Sequence, residues 1–380
     1  MRKGNMKLMK NINVSLIIRE FNDAGPCSRA DLTEKTGLSP TTITTLIDEM
    51  IKNKLIIVIG EGESKGGRRP ILLDLNPDHG YILSANISAG SISMALLDLK
   101  YNIHDSYEEE LRYPVEHNIV EIIVNIINKL IKNNNIIEEK IIGLALGWSG
   151  IINQENGSVK YSAIMGLRDF LVLEPIQEKY SFPVYLENDT NLAALAENEF
   201  GYKHLENYIY VMIGSQVGAG IIIDNNIYRG KFGQAGEFGH IIVEKEGAKC
   251  ICGRKGCLTA VLSQYISVEN ERQFRKQFKN IDFDSPNYEN FCDYLALALS
   301  NYIHLIDTEA VIFGGELVKL APKSFYKHMK DRIKKYSMWD FYQNVQVLPA
   351  TLAEDAVIMG GASFCFHNSR YFKREEGSIG

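Results

Sequence analysis

The sequence predicts an α/β protein in which a small helical head precedes a two-lobed body, and three observations lead there. A helix-turn-helix pattern followed by two β-rich runs occupies the chain up to Leu75. Two successive stretches of strands with crossing helices occupy the rest. Charge divides along the same line, since residues 1–75 hold 12 Lys/Arg against 9 Asp/Glu while the remaining 305 hold 29 against 38. A basic head on an acidic body suits a nucleic-acid module joined to something that is not one. The 380 residues, 45% hydrophobic and 23% charged, can fill two or three cores and exclude a disordered chain or a disulfide scaffold. No run approaches the roughly 18 apolar residues of a membrane helix. The basic N-terminus has no apolar stretch behind it to make a signal peptide, so the expected location is the cytoplasm.

The head comes first. Val14, Ile17, Ile18 and Phe21 form one apolar stripe on a helix that Gly25-Pro26 ends. Ser28 with Asp31 three residues on is an acidic version of the capping box, opening a second helix whose Leu32 faces inward. Thr36-Gly37-Leu38-Ser39 then reads as a tight turn, with Ser39 capping a third helix and Pro40 in its first position. That helix is expected to bury Ile43, Leu46, Ile47, Met50 and Ile51. Ser39, Thr41, Thr42, Thr44 and Thr45 are left at its outward N-terminal end, the end a recognition helix offers to the DNA major groove. Leu55–Ile59 and Ile71–Leu75 read as strands, and the glycine-rich loop between them brings Lys65, Arg68 and Arg69 to where a wing meets DNA. The head is therefore expected to be a winged helix-turn-helix.

The body shows strand patterns at 81–87, 91–98 and 102–110, an amphipathic run at 120–131, and a buried strand at 141–147. A strand at 183–187 leads directly into a helix near Asn188. The theme recurs with strands near 208–213, 220–223 and 310–313 and helices near 294–306, 317–335 and 354–366. Two such halves imply a cleft between them.

The strongest chemical signal is His240-x9-Cys250-x-Cys252-x4-Cys257. Three thiolates and an imidazole satisfy tetrahedral zinc and leave no open position for water, so one structural zinc per chain is expected. Lys249, Arg254 and Lys255 nearby favour the thiolate form. Four polar residues mark a candidate ligand site. Asn188 and Asp189 stand at a strand-to-helix junction, while Glu237 and His240 flank Phe238-Gly239 just before the zinc loop. Acceptors and an amide converging from both halves are what recognition of several sugar hydroxyls demands, because each buried polar group must find a partner.

The order Ser28-Arg-Ala-Asp-Leu, Thr36-Gly-Leu-Ser, Gly66-Gly-Arg-Arg-Pro and Leu73-Asp-Leu-Asn-Pro closely resembles the head of ROK-family transcriptional repressors, and the resemblance runs from about residue 12 to about residue 366. It implies an actin-like, sugar-kinase-like fold with a zinc loop, whose last helix returns to the first lobe. The implied division is 1–78 for the winged helix-turn-helix, 79–200 with 355–380 for the first lobe, and 201–354 for the second. The resemblance also implies that Asn188, Asp189, Glu237 and His240 bind sugar, the aspartate serving in kinases as the base. One departure is Thr259, where the family commonly has a sugar-contacting glutamate.

A kinase of this family opens with an Asp-x-Gly-Gly-Thr phosphate turn, whose aspartate serves magnesium. The matching stretch here is Asn86-Ile87-Ser88-Ala89-Gly90-Ser91, and Gln216 replaces a glycine in the second phosphate loop. Gly314-Gly315 and Gly360-Gly361 match nucleotide-side turns but can equally serve as scaffolding. The resemblance thus implies a repressor, a homodimer or dimer of dimers, which binds operator DNA and releases it when a sugar effector fills the cleft. The alternative is an ATP-dependent sugar kinase with a regulatory DNA-binding head, against which Asn86 and Ser88 argue. A zinc-responsive repressor is a third reading, disfavoured because a closed structural site stays loaded.

Overall fold

Three helices build the head: α1 (Arg2–Ala24), α2 (Arg29–Thr36) and α3 (Pro40–Lys52). The chain is seen here as a computed structural model that describes residues 2–63, 69–88, 90–111, 118–214, 217–266, 271–338 and 344–369. Ile17, Ile18 and Phe21 of α1 are buried, as the stripe requires, while the helix itself begins far ahead of it. The capping box is complete: Ser28 Oγ accepts from the Asp31 N–H at 3.2 Å, and Asp31 Oδ2 accepts from the Ser28 N–H at 2.9 Å. Gly37 at φ 68° closes α2, and Ser39 Oγ accepts from the Thr42 N–H at 3.2 Å to open α3. Ile43, Leu46, Ile47 and Met50 are buried, but Ile51 is only partly so. The hairpin of β1 (Ile56–Glu61) and β2 (Ile71–Leu75) follows, antiparallel, with a bulge between Val58 and Gly60. Its tip, with Lys65 and Arg68, lies outside the described residues; Arg69 is exposed.

In the first half of the body come β3 (Tyr81–Ile87), β4 (Ser91–Asp98), β5 (Ile103–Glu110), α4 (Ile119–Asn133) and β6 (Ile141–Trp148). A small antiparallel sheet follows, made of β7 (Ile151–Asn153), β8 (Ser158–Ser162) and β9 (Leu167–Leu171), and then α5 (Leu173–Gln177), β10 (Val184–Asn188) and α6 (Asp189–Ala196). β6 is buried along its whole length because parallel partners and helices cover it, hence its unbroken apolar run. β5 alternates between exposed and half-buried positions and carries four acidic residues, Asp105, Glu108, Glu109 and Glu110, as suits an edge strand. The small sheet was not legible in advance, since its strands are short and mixed in polarity.

The second half contains β11 (Tyr208–Ile213), β12 (Val217–Ile223), β13 (Asn226–Ile227), α7 (Leu258–Leu262), α8 (Glu271–Lys279), α9 (Pro286–Ile306), β14 (Ala310–Gly314), α10 (Glu316–Leu320), α11 (Lys323–Tyr336) and β15 (Gln346–Pro349). The last helix is α12 (Ala356–Asn368). Two differences from expectation have local causes. α9 starts well before Tyr294 because Ser285 caps it and Pro286 fills its first position. The single helix expected over 317–335 is two, because Pro322 forces Ala321 into an extended conformation (φ −71°, ψ 133°) and cannot donate to the preceding turn.

The two large sheets have the same plan. One has the order β10-β6-β3-β4-β5 and the other β15-β14-β11-β12-β13. In each, an antiparallel meander of three strands is extended by two parallel ones. α6 and α12 pack together between the sheets, and α12 also lies on β3 and β6. Their contact is backbone-close: a side chain at Gly360 would come within 1.9 Å of the Leu192 carbonyl. Among the described residues no helix is long and apolar enough to cross a membrane.

Candidate functional site

A cleft of about 1660 Å³ separates the two sheets, and Asn188, Asp189, Glu237 and His240 all line it. The end of β10 and the start of α6 place the first two. Asn188 caps α6, its Oδ1 accepting from the Asn191 N–H at 3.0 Å, and its Nδ2 donates to the Gly150 carbonyl at 3.0 Å. One N–H and one lone pair of the amide remain for a ligand. Asp189 is buried, and Oδ1 accepts from the Thr190 N–H at 2.8 Å and the Thr190 hydroxyl at 3.3 Å. Burial pushes its carboxyl above the usual range, against the pull of those bonds and one from Ser149.

Glu237 and His240 bracket a single 3-10 turn, Phe238–His240, on the opposite wall. Burial, with the charge of Asp189 across the cleft, lifts the Glu237 carboxyl to about 7, and Arg254 opposes the shift. Acids from both walls therefore face one another.

His240 also belongs to a second cluster. Its ligand nitrogen and the sulfurs of Cys250, Cys252 and Cys257 all lie within 4.8 Å of one another. Cys250 Sγ is 3.5 Å from His240 Nδ1, and Cys252 Sγ is 3.6 Å from Cys257 Sγ. A tetrahedral ion with sulfur at ~2.3 Å has donor-to-donor edges of about 3.8 Å, so the four donors fit a metal. Burial raises the Cys252 thiol, but hydrogen bonds from the Arg254 backbone and side chain, together with those to Cys250 and Cys257, outweigh it and hold the group at about 7. Arg254 also donates to the His240 carbonyl at 2.8 Å, tying the loop to the turn. Burial and Arg254 both lower the His240 pKa, which favours the neutral imidazole a metal requires. Lys255 instead faces Glu246 at 3.9 Å.

The ROK family pattern matches residues 83–367, and a winged helix-turn-helix DNA-binding pattern matches residues 11–57. The chain belongs to the ROK family. Its relatives include the xylose repressor of Bacillus subtilis, 28% identical over 93% of this chain and 95% of that one. The N-acetylglucosamine repressor of Escherichia coli strain CFT073 is 24% identical over 93% and 92%. Among solved structures, a ROK-family transcriptional regulator homologous to the E. coli MLC protein superposes with a TM-score of 0.77, 22% identical, covering 96% of this chain and 98% of its own. A ROK-family glucokinase from Streptomyces griseus, in complex with glucose and AMPPNP, superposes at 0.64, also 22% identical, over 75% and 99%. The fold is thus shared by regulators and kinases.

On the far side of the cleft this ROK protein carries Asn86 and Ser88 at the end of β3; Ala89, Ser215 and Gln216 lie outside the described residues. Gly220, in the second loop's strand, serves packing, since a side chain there would strike the Thr190 carbonyl at 2.6 Å. Gly315 and Glu316 line this side too, where an ionic network has formed. Arg275 grips Glu316 through two nitrogens, and Lys319 bridges Glu316 and Glu354.

Sequence reasoning missed one group. Glu187, immediately before Asn188, is buried and receives an ion pair from Arg229 of the opposite half at 2.6 Å. It also accepts from the Asn188 N–H at 2.9 Å, Asn191 Nδ2 at 3.0 Å and Gln154 Nε2 at 3.4 Å. An acid closing an otherwise apolar strand was the available signal, but its partner, 42 residues away, was not. In the head, Thr41, Thr44, Thr45 and Ser39 are exposed while Thr42 is half-buried. Ser39 Oγ lies 2.9 and 2.8 Å from the Thr41 and Thr42 hydroxyls, so part of the polar face is internally bonded.

Proposed function

We propose that this ROK protein is a sugar-responsive transcriptional repressor of the cytoplasm, which binds operator DNA through its head and lets go when a sugar occupies the cleft. The observation that carries this is one chain joining a winged helix-turn-helix to a cleft with polar groups converging from both walls. Asn188, Asp189, Glu237 and His240 hold the sugar hydroxyls. Zinc, one per chain, sits among His240, Cys250, Cys252 and Cys257 and is structural. With Nδ1 turned to the sulfurs, Nε2 of His240 keeps its hydrogen and serves as a fixed donor towards the cleft. Ser39, Thr41, Thr42, Thr44 and Thr45 meet the major groove, and Lys65, Arg68 and Arg69 the phosphates or minor groove. Pairing of two heads on a symmetric operator calls for a homodimer or dimer of dimers.

The kinase alternative loses ground at the phosphate side. Phosphoryl transfer depends on positioning and charge neutralisation. Asn86 offers no charge to a magnesium ion, Ser88 adds a side chain where phosphate must come close, and Glu316 with Glu354 already engages Arg275 and Lys319.

Thermal shift against a panel of sugars, led by xylose and N-acetylglucosamine, tests the reading, followed by binding to an operator selected from random DNA with and without the stabilising sugar. The expected result is a raised Tm, weakened DNA binding and no sugar-dependent ATP hydrolysis. Turnover at a typical kinase rate of about 1 to 100 per second, or DNA binding indifferent to every sugar, sinks it.

A further inference from the structure

The head is not tethered by a loose linker. Ile17, Ile18 and Phe21 of α1 share one apolar cluster with Ala362, Cys365 and Phe366 of α12 and with Tyr101 in the turn between β4 and β5. Around this seat lie the last residues of the helical segment that begins at the candidate sugar site. α6 runs without interruption into a π-helical turn, Glu197–Gly201. Phe200 of that turn meets the Tyr101 ring at 4.9 Å, and Tyr101 meets Phe366 at 6.1 Å. Glu199 faces His367 of α12 at 3.6 Å, and Lys203 forms an ion pair with Asp23 of α1, which also lies 3.7 Å from Arg19.

Both helices have their other ends in the cleft. Asn188, Asp189 and Thr190 at the start of α6, and Val357 and Ile358 at the start of α12, line it. Each segment spans 13 residues, on the order of 20 Å at ~1.5 Å per residue. Their backbones touch at Gly360 and Leu192, so the pair has little room to flex or slide. The π-helical turn is also tied to the second half: Glu197, fully buried, accepts from the Thr351 N–H at 2.8 Å and the Thr351 hydroxyl at 2.9 Å, just beyond β15.

We propose that the α6–α12 pair is the coupling element of this protein, transmitting cleft occupancy to the DNA-binding head through the seat formed by Phe200, Lys203, Tyr101 and Phe366. The proposal rests on the sugar-responsive reading above. A ligand held by Asp189 on α6 and by Glu237 on the other wall changes the angle between the halves. Glu197 and Thr351 carry that change to the π-helical turn, and the turn carries the seated α1 with it. Two heads spaced for one operator are thereby re-spaced.

Three variants of the zinc-loaded chain test this. Phe200→Ala removes the ring that joins the turn to the seat. Lys203→Asp sets an acid against Asp23 and Glu199, and adding Asp23→Lys restores the attraction. Hydrogen exchange is followed over residues 17–24 of α1, and operator affinity is measured with and without xylose or N-acetylglucosamine, whichever raises the Tm. Expected are faster exchange in α1 with β3 and β6 unchanged, and retained sugar and operator binding. The sugar's effect on operator affinity, typically 5- to 150-fold in such systems, should fall to within about twofold. It should recover in the Lys203→Asp/Asp23→Lys double variant. Unchanged α1 exchange and an undiminished sugar effect in Lys203→Asp and Phe200→Ala overturn the proposal; should Phe200→Ala not fold, Lys203→Asp and its double variant decide it. A wild-type protein that ignores every sugar refutes the sugar-responsive reading instead, and the exchange measurement still decides whether α1 is seated through the turn.

Discussion

Single residues decide most at the candidate metal site, at Asp189 and at the Glu187–Arg229 pair. Cys252→Ser removes one of four donors, and the remaining three cannot close a tetrahedron. Metal analysis of the purified protein should find about one zinc per chain in the wild type and little in the variant. The sugar response should go with it, because His240 loses its hold; a metal-free variant that keeps a full response would contradict the assignment. Asp189→Asn keeps the shape of the site but removes an acceptor, and should weaken sugar-driven release while leaving sugar-free operator binding nearly unchanged. A larger structural penalty is expected at Arg229. Its loss in Arg229→Ala strands the buried carboxylate of Glu187, which should cost on the order of 3 kcal/mol in denaturant unfolding, at the lower end for a broken buried pair because Arg229 keeps some contact with solvent. An effect below 1 kcal/mol would mean that solvent or Gln154 takes its place.

At the scale of elements, the recognition helix is informative for what it lacks. Between Pro40 and Asp48 there is no Arg, Lys, Asn or Gln, the side chains that make bidentate contacts to guanine and adenine. Its exposed threonines offer methyls to thymine instead, so specificity should lean on them and on the wing. The selected operator should be an A/T-rich inverted repeat. Replacing Arg68 and Arg69 by alanine should lower affinity and reduce the steepness of its salt dependence by up to about two log units per log unit of salt. Half-sites rich in G/C, or an unchanged slope, would count against the wing. The elements themselves differ in how visible they were. The head helices announce themselves through Ser28, Gly37, Ser39 and Pro40, whose effects are confined to a turn or two. The break between α10 and α11 was equally local, and Pro322 was its signal. β7, β8 and β9 were hidden because three to five residues of mixed polarity carry no period.

Across the whole molecule, the seat of the head contains a charge that responds to acid. Glu199 is half-buried, and burial alone would raise its carboxyl, but His367, Arg19 and Lys203 around it, with Asp23 beside the last two, leave it below the ordinary value of 4.5. A depressed carboxyl stabilises the folded form above that value and ceases to do so as the pH falls through its own lower one. Acidification below about 4.5 should therefore loosen α1 from the body, and Glu199→Gln should remove that pH dependence. Hydrogen exchange in α1 measured from pH 6 downwards, corrected for intrinsic rates, checks both outcomes.

The sequence alone determined what acts over short range: the three head helices, most strands, and the candidate metal donors, three of which fall within eight residues. The candidate sugar residues were legible because they stand at element ends, where capping and turn chemistry show. Tertiary structure alone decided the contacts between distant segments. The matched order of the two sheets, the pairing of Glu187 with Arg229, the bond of Glu197 to Thr351 across 154 residues, and the seating of Asp23 on Lys203 across 180 leave no periodic trace. The physical reason is that periodicity and capping report only the few residues that share one turn or one strand. A partner brought near by chain crossing is selected by the packing of whole layers, after those local choices have been made.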